Sequence, residues 1–157
     1  LIFDLAKYGE SMPFIKLQVK INTDKDKIYA LLKAPDKYPA FMKDVKNVAL
    51  LNEPGGVVRA EWQVEIDGVV VIWKEKRICQ DETGKVFFRL TEGDFEEFFG
   101  SWSIEEEKDA CLLTLEASIN WGAPNLSKFV GPMVLKKVTR GLQSMLLAIK
   151  RKSEADA

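Results

Sequence analysis

Glu75 and Arg77 stand two residues apart in the run Trp73-Lys-Glu-Lys-Arg77. In an extended chain they share one face, roughly 7 Å apart. An arginine cannot shed its charge, so on an apolar interior face it needs a partner or water. The pair reads as an ion pair near the open end of a sheet, or as the polar end of a pocket that orients a ligand carbonyl or phenol. Four tryptophans, Trp62, Trp73, Trp102 and Trp121, fall on faces that alternation assigns to the interior. They either fill a core or line a cavity, and each indole N–H offers a polar handle.

Much other chemistry is excluded. The sequence has no histidine, so it lacks the commonest general base and metal ligand and every Ser-His or Cys-His arrangement. Its two cysteines, Cys79 and Cys111, are far apart and form no metal-ligand spacing. They read as buried free thiols. No metal and no cofactor is expected. A net charge of -1 over 157 residues gives no basic footprint for nucleic acid. No run reaches the roughly 20 apolar residues of a membrane span, and no signal peptide is visible, so the cytoplasm is the expected compartment. The chain begins at Leu1 rather than Met, and Met12 is a candidate internal start.

Any chemistry must be positioned by strands. Val58, Ala60, Trp62, Val64 and Ile66 alternate with polar residues, and Asp67-Gly68 follows as a tight-hairpin pair. Val69 to Cys79 is the return strand, with Val71, Trp73, Glu75 and Arg77 on one face. Further strands are predicted over Phe14–Asn22, Val45–Leu51, Lys85–Thr91, Phe95–Glu106 and Ala110–Trp121. In Lys85–Thr91 the pattern does not say whether Phe87 and Arg89 or Phe88 and Leu90 face inward. Val70 and Ile72 fall on the outer face. A homodimer contact, or cover from residues 1–12, would account for them.

Thr23 or Asp24 caps a short helix carrying Ile28, Leu31 and Leu32. Pro35 ends it, and a second turn or two carries Tyr38, Phe41 and Met42. A long helix is predicted from Asn125 to about Lys152, interrupted near Gly131-Pro132. Val134, Leu135, Val138, Leu142, Met145, Leu146 and Ile149 make its apolar stripe. Short turns make the sheet antiparallel, and this helix is the element long enough to cover its apolar face. The fold class is therefore α+β. Residues 1–12 read as an N-terminal extension, 13–152 as one domain and 153–157 as a polar tail.

The chain resembles the polyketide cyclase/dehydrase and lipid-transport family, StAR-related and Bet v 1-like helix-grip proteins, over about residues 13–152. The resemblance rests on Tyr38-Pro39-Ala40-Phe41 leading into Val45 and Val48, Trp73-Lys-Glu-Lys-Arg77, Thr91-Glu92-Gly93-Asp94-Phe95, Gly100-Ser101-Trp102 and the closing helix. It implies a helix-grip fold: a curved seven-stranded antiparallel sheet around a long C-terminal helix, with two short helices after the first strand and a deep cavity. In the aromatase/cyclase branch, cavity residues correspond to Trp73, Arg77, Arg89 and Trp102, which implies that Arg89 and Trp102 face inward. An aromatic helix residue of that branch corresponds to Tyr38, and its cavity tyrosine corresponds to Val45.

Three functions stay open: a binder of a lipid, quinone or polyketide-like molecule, a polyketide aromatase/cyclase, and an interaction module without ligand. The expected partner is a small hydrophobic molecule. The expected ligand contacts are Trp62, Trp73, Arg77, Arg89, Trp102, Trp121, Tyr38, Phe41, Val138 and Leu142. The catalytic candidates are Arg77 and Arg89, which would stabilise enolate charge, and Tyr38 and Glu75, which would move protons.

Overall fold

The computed structural model describes residues 2–3, 14–120 and 131–155. Seven long antiparallel strands form the sheet: β2 (Phe14–Ile21), β3 (Val45–Asn52), β4 (Val57–Ile66), β5 (Val69–Gln80), β6 (Lys85–Gly93), β7 (Glu97–Glu107) and β8 (Ala110–Asn120). A two-residue strand, β1 (Ile2–Phe3), is added at the edge, giving the order β1-β2-β8-β7-β6-β5-β4-β3. Ile2 pairs with Lys16, so this N-terminal strand adjoins β2 and not β5.

Consecutive strands β3 to β8 are hydrogen-bonded neighbours, as short turns require. At the β4–β5 hairpin both Asp67 and Gly68 have positive φ, 49° and 80°, the geometry of a two-residue turn that suits strand twist. Among the described residues, the chain makes its long transfer from β2, beside the β1 edge, to β3 at the opposite edge of the sheet. Helix α1 (Lys25–Leu32) and a 3-10 segment (Pro35–Ala40) make that crossing. Asp24 caps α1 by accepting a hydrogen bond from the Lys27 amide at 3.0 Å.

Helix α2 (Gly131–Ala155) supplies the cover. Leu135, Val138, Leu146, Ala148 and Ile149 are buried in one cluster with Ile15, Trp62, Trp73, Phe98, Trp102 and Leu115 of the strands. The helix runs past Lys152, the expected end. Ser153 is buried and donates to the Ile149 carbonyl at 2.7 Å. Glu154 accepts from the Asn22 amide and from Lys150, while Lys150 also donates to the Lys20 carbonyl, each at 2.8 Å. These bonds tie the end of α2 to β2. The expected helical stretch from Asn125 to the interruption near Gly131-Pro132 lies mostly outside the described residues, as does Trp121.

Both cysteines are free thiols, with Cys111 buried and Cys79 half-buried. No helix among the described residues is long and apolar enough to cross a membrane.

Candidate functional site

Strands β4 and β5 build the centre of the site. Trp62 and Trp73 are direct cross-strand partners, and their rings stack at 5.4 Å with 8° between planes. Tyr38 of the 3-10 segment packs at 6.0 Å from Trp62. Phe98 of β7 meets Trp73 edge-on at 5.8 Å and Phe88 of β6 at 5.1 Å. All five are buried. A bulge between Lys74 and Glu75 shifts the pairing with β6. Beside it Gly93 sits so close that a Cβ would lie 2.5 Å from Trp73 Cα, so only glycine fits against this strand.

Glu75 and Arg77 continue the inward face of Trp73, and each side chain is only 3% exposed. Arg77 donates to Glu75 Oε2 at 3.3 Å and to the carbonyl of Leu32 at 2.8 Å. Leu32 ends α1, where intrahelical donors run out. The Trp73 indole N–H donates to Glu75 Oε1 at 3.3 Å. Trp62 Nε1 is buried and completes no hydrogen bond among the described residues, although its N–H also favours the charged Glu75.

Burial pushes the Glu75 carboxyl above the usual carboxylate range, and the Arg77 charge and the Trp73 hydrogen bond offset this in part. Burial likewise raises the Tyr38 phenol, opposed by Arg77. The described residues take two hydrogen bonds from Arg77, of the five it can donate. The arrangement is a buried carboxyl–guanidinium pair beside a cluster of aromatic rings, with guanidinium donors that the described residues leave unused.

The space around it is divided. A cavity of ≈ 20 Å³ touches Tyr38, Trp62, Trp73, Glu75, Arg77, Phe88, Phe98, Trp102, Leu115, Leu142 and Met145. That is room for about one water. A second, of ≈ 50 Å³, lies between Val45, Val64, Ile66, Trp73, Phe95, Phe98 and the Val138, Gly141, Leu142 and Met145 stretch of α2. A groove of ≈ 320 Å³ runs outside them between Phe41–Val45 and Gly141–Arg151. Trp73, Phe98, Leu142 and Met145 border both internal spaces, and Met145 also borders the groove.

Most of the expected contacts converge here. Tyr38, Trp62, Trp73, Arg77, Trp102 and Leu142 meet at the smallest cavity, Val138 lines the second and Phe41 the groove. Arg89 does not. It is exposed on the outer face, with its guanidinium 4.3 Å from the Phe99 ring. Val86 and Phe88 take the inward positions of β6, so alternation turns Arg89 out. Arg89 is therefore neither a cavity contact nor a charge beside the site.

Phe88, Phe98, Gly141 and Met145 are not among the expected contacts. A lone glycine inside the apolar stripe of a helix is the one available signal for the last two.

Residues 21–146 match the protein family described as polyketide cyclase / dehydrase and lipid transport. A comparison with curated proteins returns no match. The structure is similar to that of TTHA0849 from Thermus thermophilus, with a TM-score of 0.86 and 21% identity over 92% of this chain and 99% of that one. It is also similar to the Zhui aromatase/cyclase from Streptomyces sp. R1128, with a TM-score of 0.83 and 16% identity over 91% and 94%. A START superfamily protein from Mycobacterium smegmatis gives a TM-score of 0.78 and 19% identity over 92% and 99%. At these identities the likeness is one of fold.

Proposed function

Because the chain belongs to the polyketide cyclase / dehydrase and lipid transport family, we propose that it binds a small, largely apolar molecule between the sheet and α2, with one polar oxygen against Glu75 and Arg77. The observation that carries this reading is a buried ion pair, with donors that the described residues leave unused, beside a stacked tryptophan pair and bordering a cavity. With Glu75 ionised the pair is neutral, and it then suits a carbonyl or hydroxyl oxygen better than a carboxylate or phosphate, whose charge Glu75 would repel. Lipids, quinones and polyketide-like molecules all offer such an oxygen on an apolar body.

The two internal spaces are each smaller than the ~300–1,000 Å³ of ordinary ligand pockets. Met145, unbranched and flexible, borders both of them and the groove, and is suited to moving aside for a ligand. Native mass spectrometry of the protein purified from its own host tests the reading. A co-purifying apolar molecule, lost in Arg77→Met, is the expected result. A bare chain that also fails to take up neutral ring compounds overturns it.

One observation favours a second reading, an aromatase/cyclase acting on a poly-β-ketone chain. Glu75 is held above the usual carboxylate range beside a guanidinium. Such a pair can move a proton while the cation stabilises enolate charge. Turnover of a poly-β-ketone mimic, abolished in a folded Glu75→Gln variant, would establish it. The exposed Val70, Ile72 and Ile78 of β5 are where a homodimer would form, and an Ile72→Lys variant run beside the wild type in sedimentation tests that.

A further inference from the structure

Helix α2 carries a glycine for which its packing gives no reason. Gly141 lies in the helix interior, where glycine is destabilising relative to alanine. Its φ is not positive, so the backbone does not require it. Nor does close packing: outside the helix's own backbone, a Cβ at Gly141 would meet nothing of the described residues within 4 Å, whereas at Gly100 it would lie 2.0 Å from a backbone oxygen. The missing side chain leaves open space, and that space belongs to two places at once. Gly141 lines both the outer groove and the ≈ 50 Å³ internal cavity.

Met145 stands one helical turn further on the same face. It lines the groove and both internal cavities, and Leu142 lines the two internal ones. One turn of helix thus stands between the surface groove and the Trp62–Trp73 stack. Trp62, whose buried indole N–H completes no hydrogen bond among the described residues, borders the innermost space. The groove rim carries Lys43, Asp44 and Arg151, charges of both signs.

We infer that the Gly141–Met145 turn is the port of the site: Gly141 reserves room for a flat, uncharged ring against the helix backbone, and Met145 is the movable partition that the ring displaces to reach Glu75 and Arg77. The inference rests on the binding reading above, and it adds the route and the two residues that decide what fits.

Two readouts separate the port from the binding reading. Acrylamide, a small neutral quencher, reports access to the tryptophans without any ligand. N-phenyl-1-naphthylamine, a neutral ring probe, reports binding by its fluorescence. Met145→Ala should raise acrylamide quenching and speed probe association. Gly141→Leu should lower quenching and weaken the probe about tenfold or more, because it fills the reserved space. Gly141→Ala should melt higher than wild type by ~2–4 °C, the gain of a helix interior whose new methyl meets nothing.

The port is refuted if folded Gly141→Leu binds and quenches like wild type, or if Met145→Ala leaves quenching unchanged. If no variant binds the probe while quenching follows the stated order, the port stands and the binding reading fails.

Discussion

Replacing Arg77 by Met should make stability depend on pH in a direction set by Glu75. In the wild type the folded-state pKa of Glu75 is raised, with desolvation the largest cause. A raised carboxyl contributes stability that is fully present below its unfolded pKa and lost as pH rises through its folded pKa. Arg77 limits that loss by favouring the charged form. Without it the folded pKa climbs further, and the window of loss widens upward from the ordinary carboxylate range.

At about pH 8 the variant should lose ~3–5 kcal/mol, the cost of a buried charge deprived of its partner. That is a large share of the ~5–15 kcal/mol typical of a domain. At about pH 4 Glu75 is largely protonated in both states, and the loss should shrink to ~1–3 kcal/mol, from the Leu32 carbonyl left without its donor. Urea unfolding followed by circular dichroism measures both, provided the m-value is unchanged. The double variant Glu75→Gln/Arg77→Met should remove most of the added pH dependence. An equal loss at both pH values, or a double variant as pH-sensitive as Arg77→Met, would refute the reasoning.

Three further outcomes are expected. Gly100→Ala places a Cβ 2.0 Å from the Glu116 carbonyl oxygen and 2.8 Å from Ala117 Cα, both backbone atoms of β8. It should cost ~1–3 kcal/mol in thermal or urea unfolding. The Glu154 carboxyl is held below its ordinary value by hydrogen bonds from Lys150 and the Asn22 amide. Its contribution is present above the unfolded pKa and lost as pH falls, so the melting difference between wild type and Glu154→Gln should close in acid. Trp73→Phe keeps an apolar ring beside Trp62 but removes the indole N–H that donates to Glu75, so it should cost ~1–3 kcal/mol in urea unfolding.

The sheet is legible in the sequence because one face of each strand is apolar. Val58 to Ile66 alternates without a break, Asp67-Gly68 supplies the turn, and the parity of Trp73 carries Glu75 and Arg77 inward. Parity fails where both faces of a strand hold large residues. Phe87 and Phe88 are adjacent on β6, and one is exposed against the aromatic outer face while the other fills the core. A charged Arg89 then has an outer resting place on Phe99 that periodicity cannot reveal.

The end of α2 is harder to read because Ser153 and Glu154 look like a polar tail by composition. In the fold one hydroxyl is satisfied within its own helix, and one carboxylate by the Asn22 amide just past β2, 132 residues away in sequence. Gly141 and Met145 are hidden for a different reason: a cavity is a property of what several elements leave unfilled. No single segment records it.

The most direct test is a titration of isotopically labelled protein with a neutral ring compound bearing one carbonyl, followed through the tryptophan indole N–H resonances. Saturable shifts of both the Trp62 and the Trp73 signals, lost when Met145 is replaced by Trp, are expected. Resonances that stay still at saturating ligand, or shifts confined to residues of the outer face around Phe87 and Phe99, would contradict a site between the sheet and the closing helix.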